Sequence, residues 1–284
     1  MPDVIRLISM DSGVYSTKEL HRGGLTTWQI RREVDIGSLV ALRHGWYATP
    51  TADPDVVSAV RAGGVLGCVA ALRKHGLWVP PGYRRVHIRP TRHGELTTRQ
   101  ACRTFGPTPR ALAAVDPVPI ALLSAARCMT AEHWIATCDS VLNTAGLSVA
   151  QLACEMGRPP KHILALMERC DRRSQSGTES ITRTRLRANG FKVVVQPQIA
   201  GVGHVDLRVG RLLLECDSVT HHTSLENYHN DRRRDRRALV DGWLTMRITY
   251  DDVLYGWTGV LADIRAITRT DRHRTTPSAL KTVE

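Results

Sequence analysis

The chain has 284 residues, 42% of them hydrophobic and 23% charged, a globular composition that excludes a disordered chain and leaves room for two or three compact units. Its 39 Lys and Arg against 27 Asp and Glu give a formal charge of +12, which favours polyanionic partners, because each neutralised phosphate releases condensed counterions. No run approaches the roughly 18 to 20 apolar residues that span a bilayer, and residues 1–10 lack the basic-then-apolar layout of a signal peptide, so no membrane role and a cytoplasmic location are expected.

Residues 1–50 read as two short helices and a small hairpin. Ser16-Thr17 caps a helix that runs to Arg22, Gly23-Gly24 supplies a turn, Thr26-Thr27 caps a second helix toward Ile36, and Gly37 ends it. Leu39, Val40 and Leu42, then Trp46-Tyr47-Ala48, flank Arg43-His44-Gly45, which predicts a tight hairpin or wing. Helix, turn, helix, wing is the order of parts in a winged helix-turn-helix. Residues 51–175 read as a mainly helical connecting domain, with helices over 56–72, 120–129, 131–142, 149–154 and 163–170 and a strand over 86–89. No chemical constellation stands out there. The seven cysteines (68, 102, 128, 138, 154, 170 and 216) are odd in number and contain no C-x-x-C pair. That pattern fits reduced, mostly buried thiols and argues against a disulfide framework and a zinc ribbon.

Residues 176–268 alternate helix and strand: a helix over 178–189, strands over 192–199, 203–209 and 212–217, a helix over 224–241, a strand over 243–249 and a helix over 251–268. That order is α/β. Residues 269–284 are polar and aperiodic and are expected to be a disordered tail.

The chemistry concentrates in Gly203-His204-Val205-Asp206-Leu207-Arg208-Val209 and Leu212-Leu213-Leu214-Glu215-Cys216-Asp217. With Gly210 and Arg211 as the two turn residues, Val209 pairs with Leu212 and Leu207 with Leu214, Asp206 falls opposite Glu215, and His204 falls opposite Asp217. Val205, Leu207, Val209, Leu212, Leu214 and Cys216 then form one apolar face, and His204, Asp206, Glu215 and Asp217 the other. Like charges directly opposed destabilise a sheet. A hard divalent cation such as Mg²⁺, for which Mn²⁺ substitutes, resolves the conflict by taking the carboxylate oxygens, and phosphodiester hydrolysis is the reaction such a site serves. The alternative is a solvated edge balanced by nearby arginines.

Glu179 opens the preceding helix, and Ser176-Gly177-Thr178-Glu179 fits both a site residue and a capping box. His222, beside a competing His221, stands just past the strand end and could relay the proton of an attacking water. In Asp231-Arg232-Arg233-Arg234-Asp235-Arg236-Arg237, helical spacing lets the aspartates pair with Arg234, leaving Arg233, Arg236 and Arg237 for phosphates.

Ser176-x-x-Glu179, Gly201 to Leu207, Leu214 to Asp217 with His222, Asp231 to Asp235 and Gly242 to Arg247 together resemble the actinobacterial Vsr-like proteins of the PD-(D/E)XK nuclease superfamily, over about residues 174–268. The resemblance implies a restriction-endonuclease-like core, a mixed sheet flanked by helices, with Glu179, Asp206, Glu215, Asp217 and His222 at the active-site positions. Two departures stand out: Asp217 replaces the superfamily's usual lysine, leaving its charge-stabilising role unfilled, and Ser218 replaces the usual glycine. The N-terminal segment resembles the winged helix of AbiEi-type antitoxins, which implies a groove-facing helix carrying Thr27, Trp28, Gln29, Arg31 and Arg32, with Arg43 and His44 on the wing.

The expectation is a Mg²⁺-dependent DNA endonuclease with an N-terminal DNA-binding module, serving repair or defence against foreign DNA. A homodimer or a toxin-antitoxin-type protein partner would be compatible with it. The competing expectation is an inactive DNA-binding regulator or antitoxin-like protein that uses a nuclease fold for binding.

Overall fold

In a computed structural model, residues 11–91, 101–105, 109–157, 159–217 and 225–269 are described, with side chains in the last stretch from residue 232 onward. The chain mixes α-helices with several small sheets and divides into two units, residues 1–170 and 171–284. The tail expected at residues 269–284 lies outside the described residues except for Arg269.

The first unit begins with β1 (Val14–Ser16) and α1 (Thr17–Arg22). Ser16 Oγ accepts from Glu19 N while Glu19 Oε2 accepts from Ser16 N at 2.8 Å, so two helix-end donors are satisfied reciprocally. Thr26 and Gln29 repeat the device at α2 (Thr27–Asp35). The expected hairpin forms from β2 (Val40–Arg43) and β3 (Trp46–Ala48), turning at Gly45 with φ +74°. Unforeseen, β1 adds to it in the order β1-β3-β2. Leu20, Ile30 and Leu39 form a small core beneath the two helices.

The single helix expected over 56–72 is instead α3 (Pro54–Arg61), β4 (Gly64–Leu66) and α4 (Cys68–Lys74). Gly63 takes φ +92°, and a Cβ on Gly64 would stand 2.3 Å from Ile88 Cγ2, so glycine is what lets β4 lie against β5 (Ile88–Pro90). Val14, Trp46 and Ala48 share one core with Val56, Val60, Val65 and Ile88, so residues 1–50 pack with the segment that follows them. Helices α5 (Val118–Cys128), α6 (Ala131–Ala145), α7 (Val149–Glu155) and α8 (Lys161–Met167) complete the unit. They form its third core with α4 around fully buried Trp134, whose Nε1 donates to Leu122 O at 2.9 Å. Between these cores Arg89 and Asp116, each 1% exposed, make a bidentate ion pair with both bonds at 2.7 Å.

The second unit starts with α9 (Gly177–Ala188), buried along most of its length. The strand expected over 192–199 breaks into β6 (Val194–Val195) and β7 (Gln198–Ile199), because Gln196 adopts φ +48° ahead of Pro197. The strand expected over 203–209 likewise breaks into β8 (Gly203–His204) and β9 (Leu207–Val209). β10 (Leu212–Cys216) pairs antiparallel with β9 in the expected register, Val209 with Leu212 and Leu207 with Leu214, around Gly210 at φ +59°. Helix α10 (Leu225–Val240) leads to β11 (Leu244–Ile248), parallel to β10, giving a mixed sheet in the order β11-β10-β9-β6. The last expected helix divides at Gly256 into α11 (Tyr250–Leu254) and α12 (Trp257–Arg269).

Candidate functional site

The site forms where the β9–β10 ladder stops. Beyond Leu207 the chain turns away from β10, and Asp206 O accepts from Gln196 N at 2.9 Å. The Asp206 side chain takes over on the other side: its Oδ2 accepts from Cys216 N at 2.7 Å, satisfying the strand donor that the departing backbone abandons. Two expectations are corrected here. Val205 does not extend the Leu207–Val209 face but packs with Leu213, Ile199, Val202 and Ala238. His204 does not face Asp217; it is exposed in β8, opposite Gln198.

Asp206 nonetheless meets its acidic neighbours. Glu179, 4% exposed in the first turn of α9, accepts through Oε2 from Gln196 Nε2 at 2.9 Å and from Gln175 N at 3.0 Å. The same Gln196 nitrogen donates to Asp206 Oδ1 at 3.2 Å. One amide therefore ties the two carboxylates together. Glu179 N donates to Ser176 Oγ at 3.1 Å, so half of the capping box is present while the carboxylate serves the site as well as the helix end. Gln196 and Cys68 are the two non-glycine residues with positive φ among the described residues. Such a backbone costs on the order of 1–3 kcal/mol and persists where surrounding interactions over-determine it.

Glu215 completes a half-buried acidic group. Burial and then the Asp206 charge raise its carboxyl to about 7, against the opposing pull of Arg234 and Arg247. Burial also raises Glu179, with Asp206 adding to the effect, and raises Asp206 against the hydrogen bonds from Cys216 N and Gln196. Asp217, half-buried one residue past β10, donates its N–H to Ile248 O at 2.9 Å and adds negative charge to both Asp206 and Glu215. His222 and Ser218 lie outside the described residues.

The cations near this group are Arg234, which the sequence assigned only to its helix aspartates, and Arg247, which it gave no place in the site. Arg234 Nη2 stands 3.3 Å from Glu215 Oε1, and the same guanidinium donates to Val202 O at 2.8 Å and to His204 O. It therefore ties the β8 region to Glu215. Arg247 is the register partner of Glu215 across the parallel ladder and contacts Asp235 at 3.5 Å. Arg233, Arg236 and Arg237 are exposed on α10, with Arg237 Nε 2.9 Å from Asp241 Oδ2. Arg233, Arg234 and Arg237 line an open groove of about 620 Å³ with Ile199, Gly201 and Val202.

In the first unit Thr27, Trp28, Gln29, Arg31 and Arg32 are exposed, as a groove-facing helix requires. Gln29 is also committed to its cap, and the Arg32 guanidinium lies 5.7 Å from the Trp28 ring. His44 is exposed, but Arg43 turns inward, donating to Gly64 O at 3.1 Å and stacking on Trp46. Its contacts anchor the hairpin to β4.

Gln196 was missed because its role depends on a fold-back that nothing local dictates; its trace in the sequence is a lone amide inside the apolar run Val193-Val194-Val195-Gln196-Pro197. Gln196→Ala frees Glu179 and Asp206 from their common donor. Removing a residue that orients metal-binding groups costs about 10- to 100-fold. If these carboxylates hold a divalent ion, a loss of that size is expected in its affinity, read by titrating the melting temperature against Mg²⁺ concentration. Comparison of the chain with protein families, with curated proteins and with solved structures finds no match.

Proposed function

We propose that the second unit hydrolyses phosphodiester bonds of DNA with a bound Mg²⁺ ion. The observation that carries this reading is the convergence of Glu179 from α9, Asp206 from the bend between β8 and β9 and Glu215 from β10, half-buried to buried, on one partly desolvated acidic group. The fold tolerates this repulsion, which a divalent cation would relieve. All-oxygen donors suit a hard cation, and Asp206 and Glu215, with Asp217 beside them, are the residues that would hold it. Each ionised carboxylate has about four acceptor sites, so Asp206 keeps capacity beyond its bonds to Cys216 N and Gln196. Bound Mg²⁺ supplies polarisation of the phosphoryl oxygen and a more acidic water.

The protein's own groups do the rest. Gln196 orients Glu179 and Asp206, Arg234 and Arg247 place positive charge beside Glu215 where the superfamily pattern has lysine two residues on, and the exposed arginines of α10 offer phosphate contacts. The exposed face of α2, with His44, is the DNA-binding surface of an N-terminal winged helix. The direct test is plasmid nicking by the purified full chain. Cleavage that needs Mg²⁺ or Mn²⁺ and stops with chelator supports the reading, and no cleavage of any DNA form with either ion overturns it. The second reading is an inactive DNA-binding regulator, favoured by Asp217 at the lysine position; sequence-selective binding unaffected by chelator, without cleavage, would establish it.

The Glu215 shift sets the pH dependence. Its folded pKa lies above the ordinary 4.5, so the folded protein holds a proton that the unfolded chain has lost between about pH 4.5 and about pH 7. Stability without metal therefore falls as pH rises through that window. Mg²⁺ requires the ionised form and removes the penalty, so the melting-temperature gain on adding Mg²⁺ is expected to be larger at about pH 8 than at about pH 6. An equal gain at both values contradicts this.

A further inference from the structure

The structure assigns a second metal site, of different chemistry, to the first unit: a Zn²⁺ ion held by Cys68, His87, Cys102 and Cys128. Among the described residues these four are the set of His, Cys, Asp or Glu side chains whose ligand atoms all lie within 4.8 Å of one another. Cys102 Sγ is 3.7 Å from Cys128 Sγ and 3.2 Å from His87 Nδ1. Tetrahedral zinc with Zn–S near 2.3 Å separates two of its sulfurs by about 3.8 Å, so the sulfur spacing is that of ligands around an ion, well outside a disulfide bond. Three sulfurs and one imidazole nitrogen make a Cys₃His set, a closed, four-ligand structural zinc site with no position left for substrate.

The ligands arrive singly from four places. Cys68 opens α4, His87 precedes β5, Cys102 follows Ala101, which bridges to Ile88, and Cys128 ends α5. Backbone bonds hold them in place: Gly67 N donates to His87 O at 2.9 Å, and Cys102 N to Ile88 O at 2.7 Å. Cys68 is one of the two strained non-glycine residues, at φ +53°, the other being Gln196 in the carboxylate site. Cys68 and Cys102 are buried in the helical core, while Cys128 lies at its exposed edge, where an ion can enter. Three thiols and an imidazole can offer one another only weak hydrogen bonds; a zinc ion replaces these with four bonds and ties α4, α5 and the β5 region together as thiol protons are released.

The test uses the purified full chain under reducing conditions, with elemental analysis for zinc and reconstitution of the stripped protein with Co²⁺. About one zinc per chain is expected, along with the visible ligand-field and thiolate charge-transfer bands of tetrahedral cobalt. Asp206→Ala and Cys154→Ser are expected to keep both, because neither residue belongs to the set, whereas Cys128→Ser, at the exposed edge, loses the ion. If Cys128→Ser does not fold, the cobalt spectrum of the wild-type protein decides. Folded wild-type protein without zinc or thiolate–cobalt bands, zinc that Cys128→Ser retains, or a mass lighter by two hydrogens from a Cys102–Cys128 disulfide would each overturn the assignment.

Discussion

Asp206→Asn is expected to lower Mg²⁺-dependent cleavage by on the order of 10³-fold while leaving the protein folded. The size follows from the several kcal/mol that a well-placed metal contributes to a phosphoryl transition state, at about 1.4 kcal/mol per tenfold in rate. The choice of Asn follows from the local hydrogen bonds. Asp206 Oδ2 accepts from Cys216 N where the β9–β10 ladder ends, and the Asn carbonyl can make the same bond. The charge, by contrast, disappears from a group that already raises both Glu179 and Glu215. Without Mg²⁺ the variant should therefore melt no lower than wild type at about pH 8, where the repulsion is fully developed. Cleavage equal to wild type would remove Asp206 from the chemistry. Lost cleavage with a large fall in melting temperature would reduce it to a structural residue.

Arg89→Met is expected to destabilise the first unit by about 3–5 kcal/mol, the usual cost of leaving a buried charge without its partner. Both side chains are 1% exposed, and Asp116 lies so close to Gly67 that a Cβ there would stand 2.8 Å from Asp116 Oδ2. Burial pushes the Asp116 carboxyl up, and the Arg89 bonds and charge are the first influences pulling it back. Met also abandons Pro109 O, to which Arg89 Nη1 donates at 2.7 Å. Adding Asp116→Leu should recover much of the loss, because replacing both partners by apolar groups leaves no uncompensated charge. Chemical denaturation of the two variants checks the pair: a single variant within about 1 kcal/mol of wild type would show that water reaches Asp116.

The parts of the fold readable from sequence are those set by neighbouring residues. Ser16 and Glu19, Thr26 and Gln29, and the Gly210-Arg211 turn act over two to four positions, and each does what its chemistry dictates. The register of Leu207 with Leu214 followed from that turn and the alternation around it; the ladder stops there, short of the expected pairing of Asp206 with Glu215, yet the two carboxylates remain close enough for the Asp206 charge to act on Glu215. What failed were steps that depend on distant chain. Alternation cannot reveal that Asp206 leaves the ladder and lets its side chain act as a backbone acceptor, because the partner that draws its carbonyl away, Gln196, lies ten residues earlier. The same break sent His204 to Gln198 and Val205 to Leu213. Apolar periodicity over 56–72 masked the Gly63-Gly64 signal, which marks a strand because Ile88 presses against it. The cysteines were discounted for lacking a C-x-x-C pair, yet Cys68, Cys102 and Cys128 meet at His87 from separate segments that adjacency in sequence cannot reveal. Arg234 was read only as a local partner of Asp231 and Asp235, and its reach to Glu215 across the fold left no local trace.

The most direct test of the central claim is a crystal of the full chain soaked in Mn²⁺ and examined for anomalous scattering. An ion coordinated by both Asp206 and Glu215, with Arg234 moved off Glu215 Oε1, is the predicted result. Full occupancy of Mn²⁺ elsewhere, or none at these carboxylates at saturating concentration, would contradict it.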